Sequence, residues 1–179
     1  MKVCLDAGHG GLDTGAVGKI SKEKDLTLAI TLLTAGELNK LNISSVLTRD
    51  KDAYVTLEKR CQIANQNKVD AFISIHINSA TNSQAKGFEV YCFSEQSNGY
   101  RLAKTIEGQY LQYVKEININ RGVKTANFYV IKYTNMPAVL VECGFISNVE
   151  EEKTLNNYET QRAIAKAIAE GIKKYSIGG

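Results

Sequence analysis

AFISIH (residues 71–76) and AVLVE (residues 138–142) decide the fold. Each is a nearly unbroken apolar run of strand length, rich in Ile or Val, as expected for a strand covered on both faces of a sheet. Such strands need helices over them, and the surrounding sequence supplies them. Lys24–Leu41, Thr56–Asn67, Tyr100–Ile117 and Tyr158–Tyr175 carry apolar residues at helical spacing, for example Leu26, Ala29, Ile30, Leu33 and Leu41. Further strands are expected at Lys2–Asp6, Ile43–Thr48, Phe88–Phe93 and Phe128–Lys132. The alternation of the two periods predicts an α/β domain of six strands, with the two apolar runs at mid-sheet.

The composition agrees. A chain of 179 residues that is 44% hydrophobic and 23% charged is long enough for one self-sufficient core, which excludes bulk disorder. The net charge of +3 comes without any run of basic residues interleaved with aromatics, which argues against a dedicated nucleic-acid binder and leaves an anionic polymer open as a partner. Cys4, Cys61, Cys92 and Cys143 form no C-x-x-C pair and are expected as buried free thiols. MKVCLDAGHGG has one Lys and an apolar run broken at Asp6, too short for a signal-peptide core or a membrane span, so synthesis as a soluble cytoplasmic protein is expected. Residues 1–177 are expected as one domain, and Gly178-Gly179 as the start of a linker to a further module.

The chemistry begins with the rarest ionisable residue. The only two histidines, His9 and His76, both fall where a predicted strand ends, and ligands in open α/β sheets collect beyond the carboxyl ends of strands. One such histidine alone reads as structural; two of two point to a shared crevice. His9 sits in DAGHGGLDTGAVG, a loop with almost no side-chain bulk around one imidazole. It lacks both the G-x-G-x-x-G and the G-K-[ST] of phosphate-binding loops. Two imidazoles suit zinc, whose catalytic sites usually take a third protein ligand. Glu23, in KEKDLTLAI, is placed to be that ligand, although it also reads as an acid favoured at a helix N-terminus. Asp25 and Glu37 compete with it on position alone. Glu142 ends the most apolar strand, either as a buried partner of Arg or Lys or as a carboxylate that moves a proton beside a metal. Metal plus carboxylate is the combination for hydrolysing an amide.

Seven segments in order resemble the zinc-dependent N-acetylmuramoyl-L-alanine amidases of the amidase-3 type: DAGHGGLDTGAVG, KEKDLTLAI, VLTRDKDAYVTLEKRCQIAN, AFISIHINSA, KGFEVY, RGVKTANFYVI and MPAVLVECGFISN. The resemblance implies that His9, Glu23 and His76 bind Zn2+ and that Glu142 is catalytic. Asn78, Arg121 and Lys124 are implied candidates for the substrate groove. The implied reaction cleaves the amide between N-acetylmuramic acid and L-alanine in peptidoglycan, and the implied fold is a twisted, mostly parallel six-stranded sheet with helices on both faces. A monomeric catalytic domain of a phage endolysin or bacterial autolysin, acting on the cell wall after release, is expected. Phe93–Phe128 has room for one helix only, so no inhibitory insert is expected there. A zinc peptidase or carboxypeptidase on stem peptides, or a non-enzymatic peptidoglycan-binding module, are the alternatives.

Overall fold

In the computed structural model, which describes residues 1–178, the two apolar runs lie side by side in the middle of one sheet. The elements follow as β1 (Lys2–Ala7), α1 (Glu23–Lys40), β2 (Ser44–Leu47), α2 (Leu57–Gln66), β3 (Ala71–Asn78), β4 (Phe88–Cys92), α3 (Asn98–Tyr113), β5 (Asn120–Thr125), α4 (Tyr129–Lys132), β6 (Ala138–Phe145), α5 (Val149–Leu155) and α6 (Tyr158–Ile177). The strand order is β2-β1-β3-β6-β4-β5. β1, β2, β3 and β6 run parallel; β4 pairs antiparallel with β6, and β5 runs parallel to β4.

Alternation along the central strands divides the core between the two faces. Leu5, Ile73, Ile75, Val139 and Val141 face α1, α3 and α6, which contribute Ile30, Ile106, Tyr110, Ile168 and others. Cys4, Phe72 and Leu140 face the smaller layer of α2 and α4, with Cys61, Ala64, Val130 and Ile131. All four cysteines are buried and free. α1 departs from its apolar pattern: its buried stripe runs through Leu26, Thr27, Ile30, Thr31, Thr34 and Leu38, while Ala29 and Leu33 are only partly covered. The threonines can be buried because Thr34 donates to the Ile30 carbonyl and Thr27 to that of Gly8, leaving Thr31 unpartnered.

Two expectations are corrected. Phe128–Lys132 is not a strand; its core is the single helical turn α4. Val130 and Ile131 are consecutive and both buried, whereas a strand would send them to opposite faces. The turn sends both inward and brings Tyr129 and Tyr133 together outside, ring centroids 4.5 Å apart. The sixth strand is instead β5, NRGVKT, whose only large apolar residue is Val123. It lies at the sheet edge, where little is buried and no apolar pattern is required. α5, rich in glutamate, was also outside the expected set; Asn148 caps it by accepting from the amides of Glu150 and Glu151. Gly179 lies outside the described residues, so the expected linker is described only at Gly178, the C-cap of α6.

Candidate active site

His9 follows the end of β1, His76 lies near the end of β3, and Glu142 lies beside His76 on β6 in parallel register. Glu23 opens α1 but does not act as a mere helix-terminal acid. Its Oε1 lies 3.0 Å from His76 Nδ1 and accepts from the Ile77 amide at 3.0 Å; its Oε2 lies 3.1 Å from His9 Nε2 and accepts from the Ala16 amide at 2.9 Å. The two imidazoles meet edge to face at 5.0 Å. Each of the three side chains offers a ligand atom within 4.8 Å of the others. Asp25 is exposed, and Glu37 pairs with Lys40 near the far end of α1.

Two nitrogens and one carboxylate oxygen converging on one point are the donor set of a three-ligand zinc site. Asp13, which sequence reasoning passed over, completes it: its Oδ2 lies 2.9 Å from His9 Nδ1, orienting the ring and leaving Nε2 to face Glu23. Burial opposes protonation of His9, but the Glu23 and Asp13 carboxylates outweigh it and raise its pKa. Burial pushes the Glu23 carboxyl upward, and the two imidazoles overcome that and hold it far below the usual range. Such a concentration of charge needs a backbone that approaches closely. A Cβ on Gly8 would lie 2.5 Å from His76 Cε1. One on Gly15, where φ is +62°, would lie 2.6 Å from both Glu23 Oε2 and His9 Cδ2. Gly15→Ala is therefore expected to weaken metal binding about tenfold or more with an unchanged far-UV circular dichroism spectrum, as a metal titration of the variant would read.

Two buried arginines fix this loop. Arg60 donates to Asp6 Oδ1 at 2.7 Å, to the Ala7 carbonyl and, at 2.7 Å, to the carbonyl of His9; Arg49 donates to the carbonyls of Ala7, Gly8 and Lys24. Asp6 also accepts from Thr48 and Ser74. The clamp holds His9 in the left-handed region at φ 61°, a costly conformation for a non-glycine residue.

Glu142 has neither Arg nor Lys within ion-pair reach among the described residues, and its Oε2 is enclosed without a hydrogen-bond partner. The ion-pair alternative thus fails. Burial pushes its carboxyl up to about 7, with His76 opposing and Glu23 and Glu89 adding to the rise. Glu142, His9, Glu23 and His76 all line one cleft of about 350 Å³, along with Asn78, Tyr54, Leu57 and Phe128. Arg121 and Lys124 are not among its walls. They meet Asn78 instead at Glu89, a buried carboxylate on β4 directly across from Glu142 in antiparallel register.

Comparison with known proteins gives the family. Residues 3–174 match the sequence pattern of the amidase-3 family, described as N-acetylmuramoyl-L-alanine amidase. The chain belongs to the amidase-3 family. The protein YqiI of Bacillus subtilis is 42% identical over 97% of this chain and 84% of its own length. The N-acetylmuramoyl-L-alanine amidase LytC of the same organism is 36% identical over 97% of this chain, which spans only 35% of LytC. The structure of the amidase AmiC2 of Nostoc punctiforme superposes with a TM-score of 0.94 at 40% identity, covering 99% of this chain and 97% of that one. The amidase-3 fold is therefore this chain's fold, a single α/β domain with a mostly parallel sheet. Among the described residues no helix is long and apolar enough to cross a membrane.

Proposed function

We propose that this amidase-3 domain cleaves the amide between the lactyl group of N-acetylmuramic acid and the L-alanine of the stem peptide, with one Zn2+ held by His9 Nε2, Glu23 and His76 Nδ1. The observation that carries the proposal is the pairing of a three-ligand cluster with a carboxylate whose enclosed oxygen has no partner. When bound, zinc would polarise the scissile carbonyl and acidify the attacking water. Glu142 takes a proton from that water and delivers it to the departing amine of L-alanine, general base and then general acid in one turnover. Asp13 keeps His9 in one orientation throughout. Tyr54, Leu57 and Phe128 give the open cleft an apolar rim beside the reacting groups. Residues 1–177 are the catalytic domain in this proposal, monomeric and acting on the cell wall after release.

Chelation tests the metal. EDTA is expected to abolish wall lysis and to leave the far-UV circular dichroism spectrum intact, because the sheet core is built without the site; added zinc restores lysis. Unfolding on chelation would show instead that the metal is structural. The product identifies the bond. New N-terminal L-alanine from intact peptidoglycan is expected, whereas new termini elsewhere in the stem would mark a zinc peptidase.

A further inference from the structure

Glu89 is an unusual residue to find in a sheet interior. It is 2% exposed, yet it accepts from four side chains: Asn78 Nδ2 and Tyr91 Oη on Oε1, each at 2.7 Å, and Arg121 Nε at 2.7 Å together with Lys124 Nζ on Oε2. Two cations share this one carboxylate. Both remain reachable, Arg121 with 36% and Lys124 with 37% of the side chain exposed. Arg121 spends only Nε on Glu89, and among the described residues Nη1 and Nη2 have no hydrogen-bond partner. The plane of that guanidinium is steadied by Phe145, whose ring centroid is 4.9 Å from Cζ. The other carboxylate near Arg121, Glu151, is occupied by the backbone amides of Gly87 and Phe145. The result is an oriented, unfilled fork at the site's edge, the geometry that accepts a carboxylate through two parallel hydrogen bonds.

We propose that Arg121, held by the positioning residue Glu89 and assisted by Lys124, binds the first free carboxylate of the stem peptide on the leaving-group side of the scissile amide. This rests on the amidase reading of the same site. The spacing supports it. Arg121 belongs to β5, two strands from Glu142 on β6 with β4 between, about 10 Å across the sheet at roughly 4.8 Å per strand. An extended peptide advances about 3.4 Å per residue, so a carboxylate within the first three residues beyond the cleaved bond reaches the fork. Glu89 acts through the cations and touches no substrate.

The test uses the zinc-loaded enzyme with two substrates, a muramyl tripeptide with free carboxylates and the same compound with those carboxylates amidated. Wild type is expected to prefer the free acid by about tenfold or more in kcat/KM, the difference lying in KM. R121Q is expected to bring that ratio close to one, and E89Q to lower it part-way by releasing both cations. An unchanged ratio in R121Q, or no preference in wild type, overturns the proposal. Calorimetric binding of the free stem tripeptide headed by L-alanine keeps the two ideas apart. Tighter binding of the acid than of its amide by wild type, lost in R121Q, upholds the subsite even if neither substrate is cleaved, in which case the amidase reading alone falls. Equal binding of acid and amide overturns the subsite.

Discussion

Glu142→Gln is expected to keep its fold and its metal ligands and to lose about 10² to 10⁴ in kcat, the usual worth of a positioned acid-base group. The amide has the shape of the carboxyl but cannot accept a proton from water. The structure adds a second, independent expectation. Burial raises this carboxyl to about 7 against an ordinary value of 4.5, so between those two pH values the folded protein holds more protons than the unfolded chain. Stability of the metal-free wild type therefore falls as pH rises through that window. Glutamine has no charge to desolvate. The metal-free variant is expected to melt at or above the wild-type temperature at pH 8, with the difference vanishing near pH 4. Melting curves at the two pH values, with release of L-alanine termini from the same preparation, check both. A variant that turns over at near wild-type rate would remove Glu142 from the mechanism.

Arg60→Met is expected to be the most damaging single change to stability, at about 3 to 5 kcal/mol. Methionine fills much of the same volume but leaves Asp6, 1% exposed, as a buried charge without its cation, and strips partners from the carbonyls of Ala7 and His9. For a domain of this size the loss corresponds to roughly 10 °C in melting temperature. Zinc affinity should fall with it, because the left-handed turn that aims His9 at Glu23 loses one of its two clamps. Arg60→Met with Asp6→Asn should recover part of the melting temperature, since the uncompensated charge is gone, and little of the metal affinity, since the His9 carbonyl is still unheld. Full recovery of both would mean that the arginine serves the ion pair alone.

The parts of this molecule that could be read along the chain are those whose physics is local. β3 and β6 announce themselves because strands covered on both faces must be apolar throughout, and His9, His76 and Glu142 stand out because each is a polar residue at the end of such a run. Glu23 could be singled out by residues alone only among rivals; geometry separates it from Asp25 and Glu37, since it alone reaches both imidazoles. Asp13 was invisible because its role depends on a turn, closed by the paired backbone of Gly10 and Asp13, that brings it back to His9. Glu89 was hidden for a different reason. In GFEVY it reads as the outward residue of an alternating strand, and it is buried because β5, itself without an apolar pattern, brings Arg121 and Lys124 to it on one side while Asn78 and Tyr91 meet it on the other. Where a residue's environment is made by a polar edge strand, periodicity carries no trace of it.

The insertion of β6 between β3 and β4 sets when the chemistry can begin. A ribosome that has delivered residues 1–137 has made all three side chains proposed to hold the metal, yet neither Glu142 nor the strand that joins the two halves of the sheet exists. At about 5 to 20 residues per second, the interval from His76 to residue 137 lasts about 3 to 12 seconds. Pairing β6 with both neighbours brings together segments far apart along the chain, the slow, late kind of step in folding. A fragment that ends before Ala138 therefore lacks both the proposed proton carrier and the strand that joins the sheet, and it is expected to be inactive toward peptidoglycan. The order of the strands thus ties the completion of the site to the completion of the sheet.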